Sequence, residues 1–251
     1  MATRSQPLLV AASVTDVGRV RDHNEDAFFV DAERGLFIVS DGMGGQNAGE
    51  LASRMVVSVL PQMIEGRLRR LSGSRTRAIR YWLRREIVNL SQQLRTASAG
   101  EVGFKGMGAT LVLALFGPER VHIAHMGDSR AYLFRERRLT QLTQDHSVVG
   151  ILLRNGEITP EEAKSHPAGG QLSRYVGMAG EVYPDILSVP LQKGDRLLLC
   201  TDGLTGMVPH VEIAALLRER ADPQQTCQTL VDAANRAGGK DNVTVVVVNV
   251  G

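Results

Sequence analysis

The chain has 251 residues, 43% of them hydrophobic and 22% charged, with a formal net charge of +2. That is the make-up of a globular protein of one large or two small domains, and it excludes disordered and fibrous classes. No run reaches the roughly 18 apolar residues of a membrane span, so membrane insertion is not expected, and the near-neutral charge balance gives no argument for nucleic acid.

The first residues, MATRSQPLLVAAS, hold a short apolar run that leads straight into strand-like sequence, so no signal peptide is expected. Residues 8–12, 27–30 and 36–40 read as strands. Residues 48–65 carry Leu51, Met55, Val59 and Met63 at a period near four, which predicts an amphipathic helix. Residues 76–96 repeat that pattern with Ile79, Trp82, Leu83, Ile87, Leu90 and Leu94. Strands follow at 109–116, 120–125 and 131–135, with a turn at GPER between the first two. Residues 145–170 are less regular, hold Pro160, Pro167 and a glycine pair, and read as a loop-and-short-helix excursion. A strand at 195–200 precedes helices at 211–220 and 223–237, and 242–250 is a β-branched run, a buried terminal strand. Hairpin connections and paired helices predict an α+β fold with antiparallel sheets and helices packed outside them. Cys200 and Cys227 make no disulfide framework and suit a reduced cytosol; Cys200 is expected to be buried and inert.

Five aspartates stand at the ends of apolar strands: Asp26, Asp41, Asp128, Asp202 and Asp241. Each alone is explained by turn chemistry, since Asp-Gly is a common turn dipeptide. As a set, brought together by one sheet system, unpaired carboxylates repel and raise one another's pKa. A divalent cation relieves that, and oxygen-only ligands suit Mg²⁺ or Mn²⁺ rather than zinc. The glycines beside them let backbone and substrate approach closely.

The words around these aspartates are specific. RDHNEDA, DGMGG, MGAT, GDSRAY, LTQDHS, DGLT and DNVTVVVV occur in that order across nearly the whole chain. Together they closely resemble the metal-dependent protein phosphatases of the protein phosphatase 2C family in its compact bacterial form. The resemblance implies one catalytic domain over 1–251, a β-sandwich of two antiparallel sheets each flanked by a helix pair, with a flap at about 146–171. It implies that Asp41 bridges two metal ions, Gly42 offers its carbonyl, Asp202 and Asp241 hold the other ion, and Glu25 binds through water. Asp26 and Asn242 would support that cluster from behind. A water between two Mn²⁺ or Mg²⁺ ions would attack phosphoserine or phosphothreonine in line, and Arg21 would grip the phosphate with its planar fork. The implied partners are phosphorylated proteins, a Ser/Thr kinase and that kinase's substrates, met by a cytoplasmic monomer.

The sequence departs from that pattern in three places. Family histidines are replaced by Gln46 and Met43, which leaves the general acid open between a metal-bound water and His23. Where the family carries an acid after DGL, this chain has Gly206, so a third ion on Asp128 is expected to be weak or absent. Either loss leaves room for an alternative reading, a pseudophosphatase that binds but does not hydrolyse. His146 is expected to be packed and hydrogen-bonded rather than catalytic. The basic stretch 67–86 reads as the solvated face of a helix rather than a docking surface.

Overall fold

A computed structural model of the protein describes residues 7–44, 48–68, 76–99, 104, 106–218 and 222–251. Its strands are β1 (Leu9–Asp16), β2 (Asp26–Asp31), β3 (Leu36–Met43), β4 (Gly108–Ala109), β5 (Leu111–Phe116), β6 (Arg120–Met126), β7 (Arg130–Arg135), β8 (Arg138–Gln141), β9 (Asp185–Pro190), β10 (Arg196–Cys200) and β11 (Val243–Val250). Its helices are α1 (Ala48–Leu68), α2 (Thr76–Ala99), α3 (Val148–Asn155), α4 (Pro160–Ala163), α5 (Asp202–Thr205), α6 (His210–Arg218) and α7 (Pro223–Arg236).

The strands form two antiparallel sheets. One runs β1-β11-β10-β7-β8 and the other β2-β3-β5-β6-β9, with β4 attached to β3. Phe37, Val39, Val112, Ile123, Leu197, Leu199, Val246 and Val248 fill the layer between the sheets. A continuous run such as TVVVV becomes legible here. Alternate residues of β11 face the other sheet (Val246, Val248) or helices α6 and α7 (Val245, Val247), so both faces are apolar. Each buried side chain of this size contributes about 1.5–3 kcal/mol.

Helices α1 and α2 cover the second sheet, and α6 and α7 cover the first. The α2 stripe is the one its spacing predicts: Ile79, Trp82, Leu83, Ile87, Leu90 and Leu94 are all buried. In α1 the sequence reading needs correction. Leu51, Met55, Val59 and Met63 are only partly buried, and the fully buried face is Ala48, Ala52, Val56, Leu60 and Ile64. The physical reason is size. Ala48 and Ala52 let the first turns of α1 lie close to the sheet, while the larger residues one position back spread along the flank.

Strands β8 and β9, which the sequence did not announce, close the outer edges of the two sheets. The excursion between them is longer than its irregular composition suggests. It leaves after Gln141 and returns only at Asp185. Ser147 caps α3 by accepting from the Gly150 N–H at 3.1 Å, and Gly156, with φ of 72°, ends it. Of the basic stretch 67–86, residues 69–75 lie outside the described residues. Glu86 within it is buried, with Arg67 Nη2 3.3 Å away, and Arg67 lies over the Trp82 ring.

Candidate active site

Two strand ends supply the first carboxylates. Asp26 opens β2 and Asp41 lies near the end of β3, directly opposite each other in the antiparallel pair. The pairing continues past the hairpin, because Gly42 N–H donates to the Glu25 carbonyl at 3.1 Å. Asp41 is clamped by Thr110 on the other side. Its N–H donates to Thr110 Oγ1 at 2.9 Å, and its carbonyl accepts from the Thr110 N–H at 2.8 Å. Thr110 Oγ1 also lies 2.6 Å from Ser129 Oγ of the GDSR loop. Glycine is required where β3 meets α1. A Cβ on Gly42 would lie 1.9 Å from the Gly49 carbonyl oxygen, and one on Gly49 would lie 2.5 Å from Glu25 Oε1. The Glu25 carboxylate therefore lies against the first turn of α1, where helix N–H groups favour negative charge.

The other sheet contributes Asp202 and Asp241. Asp202 opens the short helix α5 directly after β10, and Asp241 precedes β11, the neighbouring strand. Gly203 permits this approach, since a Cβ there would meet the Asn242 carbonyl oxygen at 1.9 Å. Asn242 ties the two sheets together at this end. Its Nδ2 donates to the carbonyls of Val17 and His23, each at 2.9 Å, and its Oδ1 accepts from Glu25 N–H at 2.8 Å. Thr201 makes a second tie. Its hydroxyl donates to Asp26 Oδ2 at 2.9 Å and accepts from Thr244 N–H at 3.0 Å.

The result is a concentration of negative charge with little to balance it. Burial, with Asp202 and Asp241 adding repulsion, raises Asp26 to about 7. Burial raises Asp41 well above the carboxylate range, and Asp26, Asp202 and Asp128 push it further. Asp128 is raised to about 7 by burial and then by Asp202. Asp202 is raised by burial and by Asp241, partly offset by a hydrogen bond with Asp41. Asp26 Oδ1 and Asp202 Oδ1 are closed off from solvent with no hydrogen-bond partner among the described residues. Orphaned buried acceptors of this kind call for a cation. Every donor is oxygen, with no histidine or cysteine in the group, and that set fits a hard divalent ion such as Mg²⁺ or Mn²⁺.

Arg21 stands at the edge of the group. Its Nη2 lies 2.9 Å from Asp241 Oδ2, and both side chains are substantially exposed at 52% and 37%. That exposure makes the ion pair weak and leaves the guanidinium available to another anion. Beside it, Val20, Arg21, Asp22, His23, Glu25, Glu50 and Asn242 line a cavity of about 270 Å³.

Comparison with known proteins decides the family. A model of the protein phosphatase 2C family, described as "Protein phosphatase 2C", matches residues 18–238. The chain belongs to the protein phosphatase 2C family. It is 42% identical over 237 residues to the "Serine/threonine phosphatase stp" of Listeria welshimeri, covering 93% of each chain. The serine/threonine phosphatase of S. agalactiae superposes with a TM-score of 0.88 at 33% identity, covering 97% of this chain and 100% of that one. The catalytic domain of the phosphatase PstP, solved with 2 manganese ions, superposes with a TM-score of 0.84 at 35% identity, covering 96% and 98%. This protein is thus a serine/threonine protein phosphatase rather than a binding module on the same fold.

Within the phosphatase, the structure brings Asp26, Asp41, Asp128, Asp202 and Asp241 to one end of the sandwich, with Glu25 and Arg21 at its rim. Gln46 lies outside the described residues. Met43 ends β3, paired with Gly108. His23 is exposed. Gly206 is an exposed C-cap of α5, so it adds no oxygen side chain near Asp128. His146 is 2% exposed and hydrogen-bonded. Cys200 is fully buried, its thiol pushed up to about 12 by burial. Cys227, to which the sequence assigns nothing, is also buried and its thiol donates to the Ala12 carbonyl at 3.3 Å.

Sequence reasoning missed the polar residues that hold the carboxylates in place. Thr110, Ser129, Thr201 and Thr244 carry the ties described above. Arg130 grips Asp145 with two nitrogens, Nε to Oδ1 at 2.9 Å and Nη2 to Oδ2 at 2.7 Å. The signal was present in the motif words themselves. MGAT and DNVT place a threonine next to an apolar strand, where a buried hydroxyl needs a partner.

Proposed function

We propose that the phosphatase hydrolyses phosphoserine and phosphothreonine on proteins through two Mn²⁺ or Mg²⁺ ions held by Asp41, Asp202 and Asp241. Gly42 would contribute its carbonyl, Glu25 would reach the ions through water, and Asp26 and Asn242 would fix the ligands. The observation that carries this reading is the set of partly buried, mutually repelling carboxylates, two with oxygens closed off from solvent and without a partner among the described residues, at the meeting of the two sheets. When bound, such ions supply a water of lowered pKa and neutralise charge on the phosphoryl group.

The chain's own residues do the rest. Arg21 exchanges Asp241 for two phosphate oxygens, which its fork matches and a lysine's point charge does not. Thr110 and Thr201 hold the aspartates in orientation, so little rearrangement is needed when the charges are neutralised. Asn242 fixes the segment that carries Arg21 and Glu25. Asp128 lacks the companion acid that Gly206 replaces, and a third ion there would be held weakly. His23, exposed beside Arg21, is a candidate to protonate the departing serine or threonine oxygen.

No helix of the described residues is long and apolar enough to cross a membrane. We assign the enzyme to the cytoplasm, as a single catalytic domain and a monomer, opposing a Ser/Thr kinase by acting on it and its substrates. The test is hydrolysis of p-nitrophenyl phosphate and of a phosphothreonine peptide with Mn²⁺, with and without chelator. Activity that vanishes on chelation and in Asp202→Ala is expected. Chelator-resistant turnover would end this reading. Arg21→Lys should lower kcat/KM about 10–100-fold while leaving Mn²⁺ affinity unchanged.

A further inference from the structure

A second group of chemically capable side chains lies at the root of the excursion between β8 and β9. His125, near the end of β6, is the cross-strand partner of Asp185, the first residue of β9. His146 sits at the start of the excursion, four residues before Gly150 in α3. The two imidazoles stack with centroids 4.4 Å apart and planes 17° from parallel. Both are almost wholly buried. His125 Nε2 lies 2.9 Å from the Gln144 carbonyl, and its Nδ1 has no hydrogen-bond partner among the described residues. His146 Nδ1 accepts from the Gly127 N–H at 3.3 Å, which leaves Nε2–H to donate to Asp185 Oδ2 at 3.1 Å. From the returning limb, Arg174 Nη1 reaches Asp185 Oδ1 at 3.1 Å.

Burial holds His146 down at about 4 and also lowers His125, so near neutral pH both rings are uncharged. The His146–Asp185 contact is then a hydrogen bond, and the charge in the group is the Asp185–Arg174 pair. His125, His146 and Asp185 offer donor atoms within 4.8 Å of one another, a spacing that a transition metal could use. Two features oppose that use. Stacked rings direct their in-plane lone pairs along parallel planes instead of toward one point, and the Arg174 guanidinium brings positive charge to the carboxylate an ion would need.

What the group does join is the backbone. His146 N–H donates to the Gly127 carbonyl at 2.9 Å, next to Asp128. The two limbs of the excursion are zipped together, Ser173 N–H to the His146 carbonyl at 2.8 Å and Val148 N–H to the Gln171 carbonyl at 2.9 Å. The returning limb then exchanges two hydrogen bonds between Val176 and Ala109, at 2.8 and 3.0 Å. Ala109 pairs with Gly42, the residue after Asp41. The root of the excursion is thus linked by consecutive hydrogen bonds to both the GDSR loop and the strand carrying Asp41.

We propose that His125, His146, Asp185 and Arg174 form a latch that positions the excursion beside the carboxylate cleft and so sets how tightly a phosphorylated peptide or protein is held. These are positioning residues; none touches the reacting atoms. The inference rests on the phosphatase reading of the cleft, and it predicts a split between substrates. A small aryl phosphate needs only the cleft, whereas a peptide also needs the surface beside it.

The experiment compares p-nitrophenyl phosphate with a phosphothreonine peptide in the Mn²⁺-loaded full chain. It uses wild type, His146→Phe, which keeps the ring stack, and the isosteric Asp185→Asn. In both variants KM for the peptide should rise about tenfold, the loss expected when a charged hydrogen-bond partner is removed. Kinetics on p-nitrophenyl phosphate should stay within about twofold, and amide deuterium exchange at 148–170 should quicken. Equal loss on both substrates with a lowered Tm would show a merely structural role and overturn the proposal. So would unchanged peptide KM in Asp185→Asn, or stoichiometric Zn²⁺ binding that disappears in His125→Gln. Wild-type turnover of p-nitrophenyl phosphate tests the phosphatase reading separately. Without that turnover, exchange at 148–170 still decides the latch: faster exchange in Asp185→Asn supports it and unchanged exchange sinks it.

Discussion

A carboxylate at the end of a buried strand loses hydration before it gains a partner, and this protein repeats that arrangement several times in one place. Asp26 and Asp128, both raised to about 7, bind protons in the folded state that they release in the unfolded chain above about 4. Folded-state protons exceed unfolded-state protons between those limits. The stabilising contribution of these two carboxyls to the chelated protein is therefore fully present below about pH 4 and lost as pH rises toward 7, while the buried imidazoles His122 and His146, held down at about 4, act in the opposite direction over the same window. The carboxyl contribution is read as the difference between wild type and Asp128→Asn in thermal unfolding with chelator, and from pH 4 to 7 that difference should fall by about 2–4 kcal/mol, or roughly 5–10 °C in Tm. Saturating Mn²⁺ should flatten the curve. Asp202→Asn should raise Tm in chelator, because a repelled buried charge is gone, and lose activity by about 10³-fold or more with Mn²⁺. A Tm difference between wild type and Asp128→Asn that stays level, or grows in favour of wild type, from pH 4 to 7 in chelator would contradict this account. The acidic residues were legible in the sequence because Asp41, Asp128 and Asp202 stand beside glycine and Asp26 and Asp241 stand just at the start of apolar strands. Their supporting hydroxyls were legible only in part: MGAT and DNVT put Thr110 and Thr244 at apolar strands, but Thr201, just after β10, has no pattern to mark it and gains its role only from partners such as Thr244, 43 positions away in the chain.

At the scale of elements, two approaches between backbones set the geometry. Gly42 leaves no room for a side chain against Gly49, so Gly42→Ala must push α1 away from β3. The expected outcome is loss of Mn²⁺ binding with secondary structure retained, measured by calorimetric titration and circular dichroism. Asn242 carries three hydrogen bonds that tie the segment 17–25 to β11. Asn242→Ala should lower stability by about 2–3 kcal/mol in urea and weaken Mn²⁺ binding together with it. Unchanged metal affinity would mean that segment needs no such tie. Element reading succeeded where one periodicity dominated, as in α2. It slipped in α1, where two apolar stripes run side by side and the one against the sheet is Ala48, Ala52, Val56, Leu60 and Ile64, opened by two small residues that its spacing does not mark. It missed β8 and β9, because an edge strand such as RLTQ has only Leu139 buried and looks like a loop.

At the scale of the whole molecule, the two sheets meet face to face and their strand ends collect at one edge, so residues 26, 41, 128, 202 and 241 become neighbours. The convergence of the sheets could be expected from antiparallel hairpins and paired helices; which ends meet depends on strand order, with β11 between β1 and β10, and no local sequence encodes that order. The central claim is that this meeting creates a site for two divalent ions. Anomalous diffraction at the manganese edge, from crystals grown in excess Mn²⁺, tests it most directly. Two peaks within coordination distance of Asp41, Asp202 and Asp241, with a weaker or missing third beside Asp128, are the predicted result. Strong density confined to surface carboxylates, with those three aspartates left without an ion, would contradict it.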